Sequence, residues 1–305
     1  MLPLGFTFAQ DAPLWMRHSV ISPDGTTIAF TYKGDIYTVP VAGGRAMQIT
    51  TNPAYDTAPV WSPDSKRIAF ASDRMGSLDV YIVAKDGGEP RRLTTHSGSE
   101  TPLAFTDAGH VLFSAGIMPS AEAVVFPSNG QFNQVYRVSV EGGRPTMISS
   151  MPMECISINK EGAMLYQDKK GYEDYWRKHH VSPIARDIWM YTPGKEPQYR
   201  QLTTFGGEDR EPVWAPDGKT FYYLSEENGS FNIYRRTPGD AKAVQLTHYT
   251  KNPVRYLSAA TDGRLCYGFD GEIYTLLPGG EAQKVNISIV SDRNDKDIIR
   301  QIKSS

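Results

Sequence analysis

Pro59 to Ser72 reads P-V-W-S-P-D-S-K-R-I-A-F-A-S, and the chain carries versions of this stretch six times. Tyr81 follows Phe70 by 11 residues, in D-V-Y-I-V; then come Gly87-Gly88 and the closing R-R-L-T-T, Arg91 to Thr95. The first copy is I-S-P-D-G-T-T-I-A-F, Ile21 to Phe30, with D-I-Y-T-V, Gly43-Gly44 and Gln48-Ile49-Thr50 behind it. The third starts at Leu103, the fourth at Ser157, the fifth at Pro212 and the sixth at Ala259, each with its landmarks in the same order. A fixed-period self-similarity of this kind sets the architecture before any local pattern does.

Each copy predicts four short strands. The first ends in an S-P-D-G turn, where Pro presets φ and Asp and Gly accept the conformations of a tight hairpin. The I-A-F and I-Y-T-V segments are rich in β-branched and aromatic residues and read as the second and third strands. The Gly-Gly pair turns the chain into a fourth strand ending in L-T. Four antiparallel strands every ~40–45 residues make the blade of a propeller. A β-sandwich would also supply strands, but not six ordered copies. The expected fold is therefore all-β: a six-bladed β-propeller with four antiparallel strands per blade, each blade holding its own strands in sequence order. Closure is expected to rest on packing of blade one against blade six, without an interlocking strand.

The blades are expected at about 19–51, 57–95, 101–150, 154–204, 211–248 and 254–290, after a lead-in over 1–18 and before a charged linker over 291–305 that leads to a further module. The alternating segment Val285 to Val290 can extend a strand. A propeller of this size uses nearly all of the 305 residues, so the chain is one domain. It is 40% hydrophobic and 11% aromatic, with a formal net charge of −2. No basic block calls for nucleic acid, and no apolar run reaches the ~18 residues that span a bilayer. The two cysteines, Cys155 and Cys266, fall in the first strand of blade four and the second strand of blade six and read as buried free thiols. Leu2 to Gln10 is apolar with small residues near its end, like the tail of a secretory signal, which points to an exported, periplasmic protein; an apolar terminus of a cytoplasmic protein is the alternative.

The connections from second to third strand differ most between blades. Measured from aromatic to aromatic they are 7 (Phe30 to Tyr37), 11 (Phe70 to Tyr81), 23 (Phe113 to Tyr136), 23 (Tyr166 to Trp189), 11 (Tyr223 to Tyr234) and 7 (Tyr267 to Tyr274). Blades three and four thus carry long insertions, on the same face as the links between blades, and long loops on a rigid scaffold are where recognition concentrates. The blade-four insertion, Asp168 to Arg186, holds Tyr172, Tyr175, Trp176, Arg177, Lys178, His179 and His180. Aromatics and arginine are enriched at interfaces, so these residues are candidates for contact with a peptide or protein partner. The other reading has Tyr175 and Trp176 plugging the loop onto the propeller while the charges face water. The blade links place Asp56, His96, Glu100, Glu208, Asp209 and Arg210 on that face as well. Most of these read as solvated; some pin the insertions or meet a ligand at the channel mouth, and Glu208 and Arg210 join the candidate binding set.

No catalytic signature stands out. The chain has no G-x-S-x-G elbow, H-E-x-x-H or Walker loop. His179 and His180 are adjacent and would diverge as ligands. The innermost segments V-I, P-V-W, P-L-A, C-I-S, P-V-W and Y-L-S are apolar or small, which argues against a metal on the axis. No catalytic residue, metal or cofactor is expected.

The repeats P-V-W-S-P-D, I-A-F-A-S-D-R and D-G-G-E-P-R-R-L-T resemble the TolB-type, WD-like propeller repeat, which is specific for fold and weak for function. A closer likeness lies in S-P-D-G-T-T-I-A-F-T-Y-K-G-D-I-Y, D-Y-W-R-K-H-H and D-G-E-I-Y-T, which resemble the amino-terminal six-bladed propeller of bacterial tricorn protease-like proteins across nearly the whole chain. In that family the propeller precedes a second propeller, a PDZ domain and a serine-peptidase domain, and the catalytic residues lie in the later part; none maps onto this sequence. The resemblance implies a module without catalysis of its own that binds, gates or channels peptides, or docks a downstream peptidase module. A stand-alone TolB-like periplasmic adaptor that binds another protein is the alternative.

Overall fold

A computed structural model describes residues 13–116, 133–171 and 181–290. Among these residues all regular structure is β: six four-stranded antiparallel sheets whose strands follow sequence order, and one short parallel pair. Blade two runs Asp56–Trp61, Arg67–Ser72, Asp79–Ala84 and Arg91–Arg92 from the inside out. The six inner strands are Arg17–Ile21, Asp56–Trp61, Glu100–Asp107, Met153–Ile158, Asp209–Trp214 and Arg255–Ala259. Each packs against the inner strands of its two neighbours, the first against the last, so the sheets form a ring of six blades.

The I-A-F pattern explains how blades stack. Alternate residues of a strand point to opposite faces of its sheet. In blade two, Ile68 and Phe70 pack toward blade one, with Ile36 and Ile49, while Ala69 faces blade three with Phe105 and Phe113. Blade one repeats this: Ile28 and Phe30 face blade six, and Ala29 faces blade two. The second-strand aromatic packs toward the preceding blade in all six blades, while the residue before it, facing the following blade, is small in blades one, two and six (Ala29, Ala69, Cys266) and large in blades three to five (Leu112, Leu165, Tyr222); the described core divides into six clusters, one per seam. Cys266 occupies the small position in blade six and is buried. The second-strand aromatic lies opposite the third-strand aromatic as the spacing predicts; Phe30–Tyr37, Phe70–Tyr81 and Phe113–Tyr136 have ring centroids 5.8, 5.9 and 5.6 Å apart.

The turn and the closing L-T have defined work. Ser22 Oγ donates to Asp24 Oδ1 at 2.6 Å and accepts from the Thr27 amide at 3.0 Å; Ser62, Asp64 and Arg67 repeat the arrangement. The closing threonine supplies an acceptor where the ladder would otherwise stop. Thr50, Thr94, Thr203 and Thr247 accept from the amides of Ile36, Val80, Ile188 and Ile233 at 2.9–3.0 Å. Buried amides left unpaired are costly, which explains the placement of threonine there.

Five inner strands bulge at one position, where a side chain takes positive φ: His18 (50°), Ala58 (52°), Cys155 (52°), Glu211 (50°) and Tyr256 (58°). Blade three has Pro102 there, whose ring forbids positive φ. Its register shift falls one residue later, between Pro102 and Ala104. The bulge takes Cys155 out of the strict alternation; the residue is exposed, not buried as the sequence suggested, and both cysteines are free.

Blades one and six close without lending a strand, as expected, but packing is not the whole of the closure. Beyond its sixth blade the chain crosses to blade one, where Ile287–Ser288 pairs in parallel with Gly44–Arg45. The Gly44 amide donates to Asn286 O at 2.8 Å and the Ala46 amide to Ser288 O at 2.9 Å. At the opposite hairpin end, the Thr261 amide and hydroxyl both donate to Pro23 O, at 2.9 and 2.7 Å. The alternation of Val285 to Val290 is thus used as a short clasp.

Candidate functional site

The face formed by the blade links and the second-to-third connections is lopsided. Blades one and six carry two-residue hairpins there, at Lys33-Gly34 and Asp270-Gly271, opposite the long connections of blades three and four. Tyr172, Tyr175, Trp176, Arg177, Lys178, His179 and His180 lie outside the described residues, as do the signal-like stretch and the 291–305 segment. The two ends of the blade-four connection are described, and they are held firmly.

Lys170, at the start, donates to Ala185 O at 2.8 Å and to the Asp187 carboxylate. Asp168 accepts from the Asp187 amide at 2.8 Å and from the Trp189 indole at 3.1 Å. Arg186, at the end, reaches Glu154 of its own inner strand at 3.2 Å and Glu208 of the link to blade five at 3.4 Å. Arg210 Nε donates to the other Glu208 oxygen at 2.6 Å, and its guanidinium lies 5.1 Å from the Phe231 ring. The Glu208 amide in turn donates to Glu226 at 3.1 Å. Farther in, Gln167 joins Glu154 to the Glu211 amide, and Glu211 accepts from the Leu257 amide of blade six at 2.8 Å. One polar chain thus links the base of the long connection to blades four, five and six.

These positions correct the view of the link residues as solvated. Glu208 and Arg210 are 1% and 2% exposed. Asp56, Glu100 and Asp209 are equally buried, each the first residue of an inner strand. The reason is register: the inner strands begin two or three residues earlier than the apolar triplets suggest, so the acids join the sheet. The inner strands are accordingly not wholly apolar. His96 does stay exposed, its Nδ1 accepting from the Gly98 amide at 3.0 Å. The signal missed in the sequence is positional: an acid recurs at the head of the inner strand in blades two, three and five, and another at the head of the third strand, as Asp35, Asp79 and Asp187.

The electrostatics follow from burial. Glu100 and Asp209 are both pushed up to about 7, chiefly by desolvation. His18, at the first bulge, is pulled down to about 4 by burial and by Arg17, and its ring lies 4.9 Å from that of Tyr256. Cys155 touches solvent but is hemmed in by protein and by Glu211 and Glu154, which lifts its thiol well above the ordinary range. A thiol so held is protonated at neutral pH and a poor nucleophile. The described face therefore shows fixed supports for a long connection, with no activated nucleophile among them.

Comparison with known proteins agrees with this geometry. Residues 13–282 match the family described as the tricorn protease N-terminal beta propeller domain. The chain is 26% identical over 289 residues to tricorn protease homolog 1 of Streptomyces coelicolor, covering 93% of this chain and 26% of that protein. The crystal structure of the tricorn protease superposes with a TM-score of 0.76 at 19% identity, over 93% of this chain and 27% of that one. TolB from Acinetobacter baumannii superposes at 0.63 and 13% identity, over 90% of this chain and 63% of that one. The chain spans about a quarter of the length of the Streptomyces relative.

Proposed function

The chain belongs to the tricorn protease N-terminal β-propeller family, and from that membership we propose that it is a non-catalytic ring whose loop face binds or steers peptides beside a peptidase module. The observation that carries the reading is the anchoring of the blade-four connection. Arg186 and Lys170 fix its two ends to buried acids on two blades. Ordering a long connection costs conformational entropy, and a fixed base lowers the cost that a ligand must offset on binding. The intervening Tyr172 to His180 segment supplies aromatic and cationic side chains of the kind that contact extended peptides.

Fluorescence anisotropy with labelled unstructured peptides tests this. Binding is expected, and Trp176→Ala or Arg177→Ala is expected to weaken it by roughly 10-fold or more while leaving urea unfolding unchanged. Peptide affinity that neither substitution alters, or no measurable binding, removes the peptide-binding role from this face.

A further inference from the structure

Two seams of the ring bury more carboxylate than they neutralise. Between blades two and three, Asp79 and Glu100 are 0% and 1% exposed and lie within hydrogen-bonding reach of one another. Arg92 stands 2.9 Å from Asp79, Thr94 reaches Glu100, and His96 faces the pair from the link. Asp79 Oδ1 and Glu100 Oε2 accept no hydrogen bond. Between blades four and five, Lys170 and Gln201 donate to Asp187, while Asp209, 1% exposed, meets the hydroxyls of Ser225 and Thr203, with Asp187 and Glu227 as charged neighbours and the phenols of Tyr223 and Tyr234 nearby; its Oδ1 accepts no hydrogen bond. The seam between blades one and two also buries two carboxylates, and Asp56 Oδ1 there accepts no hydrogen bond; it differs in that the inner-strand acid itself, Asp56, has a cation, Arg74, at 2.8 Å, while Asp35 accepts from Gln48 at 3.1 Å.

We propose that Glu100 and Asp209 each keep a proton in the folded ring in mildly acidic solution, where a free carboxyl has lost it, and that loss of those protons as neutrality is passed slackens the seams on either side of the blade three–four pair. A second buried charge beside the first is costly in a poorly polarisable interior, and a carboxylic acid avoids it while supplying the donor that an orphan oxygen lacks. The two blades with the long connections are then bounded on both sides by joints that respond to pH. The sign is fixed by burial. In the unfolded chain Glu100 ionises near its ordinary value of 4.5 and in the fold at about 7, so its stabilising contribution is full in acid and is lost as pH rises between those values. Asp209 acts in the same direction.

Urea unfolding of the full chain at about pH 5 and about pH 8 reads this directly. Glu100→Gln and Asp209→Asn imitate the protonated forms. Over that interval the folding equilibrium constant of the wild type is expected to fall by at least ~10-fold more than that of either variant. With the intrinsic pH dependence of amide exchange divided out, the protection factors of Asp79–Ala84 and Glu100–Asp107 are expected to fall at the higher pH in the wild type and not in Glu100→Gln. Asp56→Asn, as the control, is expected to destabilise at both pH values. Should either variant fail to fold, isotope-edited infrared of the wild type serves instead, with carboxylic-acid carbonyl bands persisting above about pH 6. Parallel stability profiles, or absence of those bands above that pH, would overturn the proposal.

Discussion

Arg186 ends the long connection of blade four and lies 3.4 Å from Glu208, which belongs to the link into blade five. The pair is buried, and Arg210 approaches the same carboxylate from the far side at 2.6 Å. Removing Arg186 leaves Glu208 one cation short and strips Glu154 of a partner. We expect Arg186→Ala to cost about 2–3 kcal/mol, toward the lower end of what breaking a buried pair costs because Arg210 remains. Arg91→Ala, which breaks an exposed, solvent-screened pair with Glu141, should cost clearly less. Urea titration of the two variants checks the contrast; equal losses would show that burial gives Arg186 no special weight.

Gly43 tests the clasp. Its φ is 86°, and a Cβ there would stand 2.6 Å from Asn286 O. Gly142 occupies the equivalent Gly-Gly turn of blade three with φ 82° and nothing within 4 Å. Both pay the left-handed penalty of about 1–2 kcal/mol on substitution by alanine, but only Gly43→Ala must also displace the Ile287–Ser288 strand. It should be the more destabilising, by about 1 kcal/mol or more, and it should expose the Gly44 and Ala46 amides to exchange. Equal losses at the two glycines would mean that the clasp adds nothing to closure.

The repeat made the ring legible because each of its landmarks has one physical task. Phe70 and Tyr81 announce opposed strands, Ser62 and Asp64 the hairpin, and Thr94 the end of the ladder. The buried acids were not legible in the same way. Asp56, Glu100 and Asp209 sit in segments that read as loops because no apolar alternation reaches them, and charge in a loop reads as solvated. Their burial depends on where the strand begins, which side-chain hydrogen bonds and neighbouring blades decide. The bulge at Ala58 was likewise invisible, although Pro102 at the equivalent place in blade three excluded positive φ there from the outset. For the blade-four connection, the sequence indicated a contact-rich segment and offered that some link residues pin the insertions, but it put Glu208 and Arg210 in the binding set rather than among the buried supports beneath the base.

His18 offers a pH test whose sign opposes that of the seam acids. The imidazole sits at the first inner-strand bulge, against Tyr256, and is pulled from 6.5 to about 4 by burial first and by Arg17 second. A histidine depressed in the fold is neutral there while the unfolded chain binds the proton. Its contribution is therefore full above the unfolded value of 6.5 and is lost as pH falls toward about 4. Asparagine tolerates positive φ and does not titrate, so His18→Asn isolates the effect. On acidification across that window the wild type should lose on the order of 2–3 kcal/mol more than His18→Asn. Because Glu100 and Asp209 move the other way across much of the same interval, the raw profile of the wild type can look flat; the difference between variant and wild type is what carries the information. A difference that stays constant with pH would show that His18 titrates normally in the fold and that the bulge does not shield it.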